Sequence, residues 1–102
     1  MRLKFYSPKK LGREVLQIIT EFLDIKNFKI FYFGSRVSGK ANERSDIDIG
    51  ILGSQEVPLQ ILGNIREKIK NLPTLYSIDF VDFQRVPESF KQVALEFTEP
   101  LQ

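Results

Sequence analysis

The run FYFGSRVSGKANERSDIDIGI, from Phe31 to Ile51, decides how the rest of the chain is read. Its last part, Asp46-Ile47-Asp48-Ile49-Gly50-Ile51, alternates strictly, which is the period of a β-strand with one apolar face. Aspartate is disfavoured in strands, so two of them at positions i and i+2 call for a reason. Their spacing sends both side chains to the same face, roughly 6.5–7 Å apart at about 3.3 Å of rise per residue. Ile47, Ile49 and Ile51 take the other face. Two anions held that close favour a cation beside them. Mg²⁺ suits the place, because it takes oxygen ligands, usually one or two carboxylates completed by water and substrate phosphate. A lone Asp-x-Asp is more often the solvated side of a half-buried strand. What precedes it here shifts the balance.

Phe28 to Phe33 is β-branched and aromatic and stops at Gly34, the pattern of a buried strand. The chain from Gly34 to Arg44 is then polar, with two glycines and two serines, and has room for one short helical turn. A glycine lets the backbone approach a ligand closely, and N–H groups exposed at a turn can hold phosphate oxygens, so Gly34 and Ser35 are candidate nucleotide-binding residues. Taken alone, Gly-Ser is more commonly a turn and a helix cap. Arg36, Lys40 and Arg44 flank the turn and could neutralise phosphate charge. Arg36, directly after Gly34-Ser35, is the strongest of the three. Ser45 reads as a structural hydrogen-bonder.

Outward from this run, Ser7-Pro8 signals a helix start, and Leu11, Val15, Ile18, Phe22 and Ile25 recur at helical spacing. Pro58 opens a second helix through Leu62, Ile65 and Ile69, with Pro73 beyond its end. Tyr76 to Phe83 reads as a third strand. Pro87 opens a last helix in which Phe90, Val93, Ala94 and Phe97 share a stripe. The tail from Thr98 to Gln102 is short and polar, and its structure stays open.

With 102 residues there is room for one domain, 1–102, because two cores would each be too small to offset chain entropy. Apolar residues at 42% and charged residues at 27% exclude a disordered or fibrous chain. A net charge of +2 is too small for wrapping nucleic acid independently of sequence, and no direct sequence-specific binding is expected. Cysteine and histidine are absent, which removes thiolate and imidazole chemistry and leaves carboxylates, hydroxyls, amines or an oxygen-bound metal. No stretch reads as a secretory signal or a membrane span, so a cytoplasmic protein is expected. Self-association stays open.

With Gly34-Ser35 followed ten residues later by Asp46-x-Asp48, the sequence resembles the DNA polymerase β-like nucleotidyltransferase superfamily. Its wording is close to the minimal nucleotidyltransferases, short prokaryotic proteins often paired with HEPN-domain toxins. Element order and length match over nearly the whole chain, while the specific likeness runs from Phe31 to Ile51 and from Ile78 to Phe83. The resemblance implies that Gly34 and Ser35 contact the triphosphate, that Asp46 and Asp48 bind metal, and that a later strand supplies a third carboxylate. The stretch IDFVDF offers Asp79 and Asp82, on opposite faces of a regular strand. Asp79 is the choice, since it lies inside the apolar run and matches the hydrophobic-Asp-hydrophobic pattern; Asp82 is left as a surface charge or a hydrogen-bonder to the following turn. Many relatives read Ala-Arg where this chain has Val37-Ser38, a lost positive charge that puts nucleotide affinity, or its reliance on Lys40, at issue.

The expected architecture is therefore an α/β domain with a mixed sheet, helices on one face, and the aspartates on an open face. The topology comes from the resemblance. The implied activity is transfer of AMP from ATP, with two Mg²⁺ ions, to a hydroxyl, a tyrosine of a HEPN-domain toxin partner. A second reading is an antitoxin that masks its partner by binding alone, through exposed aromatics such as Tyr6 or Phe90. A third, transfer to a small molecule, lacks the residues for a substrate-binding domain.

Overall fold

Ser7 opens the first helix: its hydroxyl accepts from the Lys10 N–H at 3.2 Å, and Pro8 fills the first helical position, where no donor is needed. In the computed structural model, which describes residues 1–101, this helix, α1, spans Pro8–Thr20 and buries Leu11, Val15, Ile18 and Ile19. It ends sooner than the apolar spacing suggests. Phe22 lies in the following turn, and Ile25 begins a short 3-10 turn capped by Asp24.

Four strands follow: β1 (Lys29–Phe33), β2 (Ile47–Leu52), β3 (Ile78–Asp82) and β4 (Glu99–Pro100). They lie side by side in the order β3-β2-β1-β4. β2 is antiparallel to β1 and parallel to β3, so the sheet is mixed. The connections account for this. A polar turn holding the one-turn helix α2 (Ser35–Ser38) brings the chain back beside β1, whereas α3 (Leu59–Lys70) supplies the crossover that a parallel pair requires. β4 comes from the tail that the sequence leaves open, and pairs antiparallel with β1. Gln102 lies outside the described residues.

One face of the sheet presents Ile30, Tyr32, Ile47, Ile49, Ile51 and Phe80 to α1 and α3, and these form a single core with Leu11, Val15, Leu62, Ile65 and Ile69. Each such side chain contributes about 1.5–3 kcal/mol through burial. The other face carries Phe31, Phe33 and Phe83, whose rings meet edge-on at centroid distances of 5.0 and 4.9 Å from Phe83. Gly50 makes room for them, because a Cβ there would lie 2.6 Å from ring carbons of both Phe31 and Phe83. Helix α4 (Glu88–Ala94) leans on this second face through Phe90, edge-on to Phe33 at 6.2 Å. The expectation of helices on one face thus holds for α1 and α3. α4 departs from it because three phenylalanines on the second face need cover from water. Among the described residues no helix is long and apolar enough to cross a membrane.

Candidate active site

The register of the parallel pair sets the site: Asp48 on β2 stands directly opposite Asp79 on β3. Both project from the second face, one strand spacing apart, about 4.8 Å. Asp48 is half-buried beside the end of β1, where its antiparallel partner is Phe33, and Asp79 is exposed. Burial pushes the Asp48 carboxyl up to about 6, and the negative charges of Asp79 and then Asp46 push in the same direction. Asp46 is exposed and sits one residue before β2 begins, so the loop rather than the strand places it. Among the described residues, no three acidic side chains already converge on one metal position. The sheet fixes a pair, and the third acid approaches from outside it.

Gly34 closes β1 and is required there twice over. Its φ of +81° is a conformation that side chains disfavour, and a Cβ would lie 2.1 Å from Oδ2 of Asp48. The turn therefore sits against the carboxylate it follows in space. Its carbonyl accepts from the N–H groups of Val37 and Ser38, starting α2. Gly34→Ala is expected to displace the Asp48 carboxylate and strain the backbone, costing about 1–3 kcal/mol of stability. Thermal melts and transfer rates should fall together. An alanine variant with native melting and full activity would show that the turn does not press on Asp48.

A cavity of about 470 Å³ opens between this turn and α4. Gly34, Ser35, Ser38 and Lys40 line one side, with Asp48 and Asp79 on its floor. The opposite wall is Phe90, Val93 and Phe97, which are 42%, 68% and 56% exposed. By sequence these three share one helical stripe, with Phe90 also a candidate exposed contact for a partner. They border the cavity, because α4 ends at Ala94 and covers only the edge of the aromatic cluster. Helical periodicity marks an apolar face but not what that face meets.

Arg36 does not line this cavity. Its Nε donates to the Ser45 carbonyl at 2.9 Å and its Nη2 to the Glu43 carbonyl at 3.3 Å, and the guanidinium lies 5.0 Å from the Tyr76 ring centre. Asp82 is not a surface charge: it is 2% exposed. It does bond to the following turn, accepting from the Gln84 N–H at 3.0 Å, and also accepts from the buried Val57 N–H at 2.7 Å. Tyr6 is partly buried, and its hydroxyl is bonded to Glu14.

Residues 13–100 match the family described as "Polymerase beta, Nucleotidyltransferase". A Haemophilus influenzae protein named "Probable protein adenylyltransferase MntA" is 26% identical over 90 residues, covering 86% of this chain and 79% of the relative. Two solved structures share the fold. One is a chain from a toxin-antitoxin crystal structure with AMP-PNP (TM-score 0.69, 18% identity, 89% of this chain and 72% of that one). The other comes from a complex of the tri-AMPylated Shewanella oneidensis HEPN toxin with its MNT antitoxin (TM-score 0.69, 15% identity, 94% and 72%).

Proposed function

The chain belongs to the polymerase beta nucleotidyltransferase family, and from that premise we propose that it is an antitoxin-type protein adenylyltransferase, moving AMP from ATP to a tyrosine hydroxyl of a HEPN-domain partner. The observation that carries the reading is the in-register pair Asp48 and Asp79 beneath the Gly34-Ser35 turn, in one cavity. Phosphoryl and nucleotidyl transfer needs positioning and charge neutralisation more than a covalent catalyst, so a site without histidine or cysteine suffices.

The donor set fits Mg²⁺. Asp46, Asp48 and Asp79 offer anionic oxygens only, and the Asp48 carboxyl is raised first by burial and then by the negative charges of Asp79 and Asp46, both of which a bound cation would offset. When bound, two such ions neutralise phosphate charge and lower the pKa of the attacking hydroxyl. The chain's own residues do the rest. Gly34 and Ser35 hold the triphosphate close to the sheet edge. The acceptor oxygen forms a bond to the α-phosphorus, the bond from that phosphorus to the bridging oxygen breaks, and pyrophosphate leaves. Asp79, the exposed carboxylate of the pair, accepts the hydroxyl proton. A phenol, with an ordinary pKa of about 10, gives up its proton more readily than an aliphatic alcohol. The partner brings the rest of the acceptor site, against the apolar rim of Phe90, Val93 and Phe97.

To test this, the purified chain and its HEPN partner are incubated with ATP and Mg²⁺, and the intact partner is weighed and mapped. The expected result is a mass gain of whole AMP units on tyrosine, absent with Asp48→Asn. A partner that stays unmodified, yet is still inhibited by Asp48→Asn protein, would establish inhibition by binding alone.

A further inference from the structure

Two of the three basic residues that flank the phosphate turn, Arg36 and Lys40, face different ways, and we infer that they divide its work: Lys40 meets the triphosphate, and Arg36 is a positioning residue for the acidic loop. This rests on the nucleotidyltransferase reading of the cavity and assigns its cation.

Among the residues lining the cavity that holds Gly34, Asp48 and Asp79, Lys40 is the single cation, against the acids Asp48, Asp79 and Glu96. Its placement is local in origin. α2 ends at Ser38 and is capped by Gly39, whose φ of +86° turns the chain sharply, and the N–H groups of both Gly39 and Lys40 donate to the Ser35 carbonyl. That fold-back returns Lys40 to the side of the turn where Ser35 and Ser38 lie. The Lys40 side chain is exposed, and among the described residues no carboxylate pairs with it. A flexible, unpaired ammonium is suited to phosphate as a movable point charge.

Arg36 is occupied. Its planar guanidinium donates to two carbonyls of the loop, those of Glu43 and Ser45, while stacking on Tyr76. Ser45 immediately precedes Asp46, and Tyr76 lies two residues before β3, which carries Asp79. Tyr76 is itself held, since its hydroxyl accepts from the N–H groups of Lys4 and Phe5. Arg36 thus ties the start of β2 to the start of β3, and fixes the acid that the sheet alone does not place. Lysine in its stead would keep the charge but lose the planar double donation and the stacking.

The test is calorimetric titration with Mg²⁺ and a non-hydrolysable ATP analogue, with AMP as a second ligand, alongside steady-state transfer kinetics. Lys40→Gln is expected to lose about tenfold or more in affinity for the triphosphate, with AMP affinity and melting temperature unchanged. Arg36→Lys is expected to keep triphosphate affinity while its rate at saturating ATP falls about tenfold to a hundredfold, as a misplaced acid would cause. Tyr76→Leu, which removes the stacking surface and with it the acceptor for the Lys4 and Phe5 N–H groups, should show the same split if Arg36→Lys fails to fold. Triphosphate affinity unchanged in Lys40→Gln, or lost equally in Arg36→Lys, overturns the assignment and leaves the enzyme reading standing. A wild-type chain that binds no triphosphate overturns both.

Discussion

Asp48→Asn is expected to abolish AMP transfer, by on the order of 10³-fold, and at the same time to make the metal-free protein melt higher at pH 8. The two effects share one cause. Asp48 is held half-buried at the end of β1, with Asp79 in register beside it and Asp46 nearby, and its carboxyl is pushed up to about 6. A folded-state pKa above the unfolded value of about 3.9 means that the native state holds the proton more tightly. The stability this brings is fully present below the unfolded value and is lost as pH rises through about 6. At pH 8 the ionised carboxylate is therefore a net cost to the fold, and asparagine removes it. Melts in chelator at pH 8 and at pH 4 check the sign: the advantage of the variant should be largest at pH 8 and vanish near pH 4. A variant that melts below wild type at pH 8 would mean that Asp48 is stabilised by a partner rather than crowded by like charges.

That crowding was readable from the sequence only in part. Alternation over Asp46 to Ile51 marks the strand, its faces and the two neighbouring acids, and the apolar run Ile78 to Val81 together with the family resemblance points to Asp79. The parallel pairing that puts Asp79 opposite Asp48 depends on α3 crossing over the sheet, and strand composition carries no record of which neighbour it will meet. Parity along β2 also suggested that Asp46 and Asp48 stand on one strand face, yet hydrogen bonding begins at Ile47 and the loop decides where Asp46 goes. The cavity wall escaped for a related reason. Phe90, Val93 and Phe97 have helical spacing whether they cover a core or border a cleft, and only the early end of α4 decides between these. Arg36 had the right charge at the right place in sequence. Its neighbours in space, the Glu43 and Ser45 carbonyls and the Tyr76 ring, come from the path of the loop and from the approach to β3.

Asp82 and Asp79 lie three residues apart on one strand, and their substitutions are expected to fail in opposite ways. Asp79 faces the cavity and is exposed, so Asp79→Asn should lose transfer and keep its stability. Asp82 points to the core side, where its carboxylate accepts from the Val57 and Gln84 N–H groups and lies 3.4 Å from Nε of Arg85. Arg85 in turn donates to the Val57 carbonyl at 2.7 Å. One buried acid thus fastens the entry to α3 to the turn that follows β3. Asp82→Ala leaves the Val57 N–H buried without an acceptor and Arg85 with only its outer carboxylate partner, Glu56 at 3.6 Å, and should cost about 2–4 kcal/mol. Asp82→Asn keeps one acceptor oxygen and should cost less, about 1–2 kcal/mol. Both should remain active wherever they are folded, since neither change reaches the face that carries Asp48 and Asp79. Urea denaturation gives the stabilities, and transfer measured well below each variant's midpoint gives the activities. An Asp82→Ala protein of native stability would refute the fastening role, whereas a folded but inactive Asp82→Asn protein would mean that β3 presents its other face to the nucleotide.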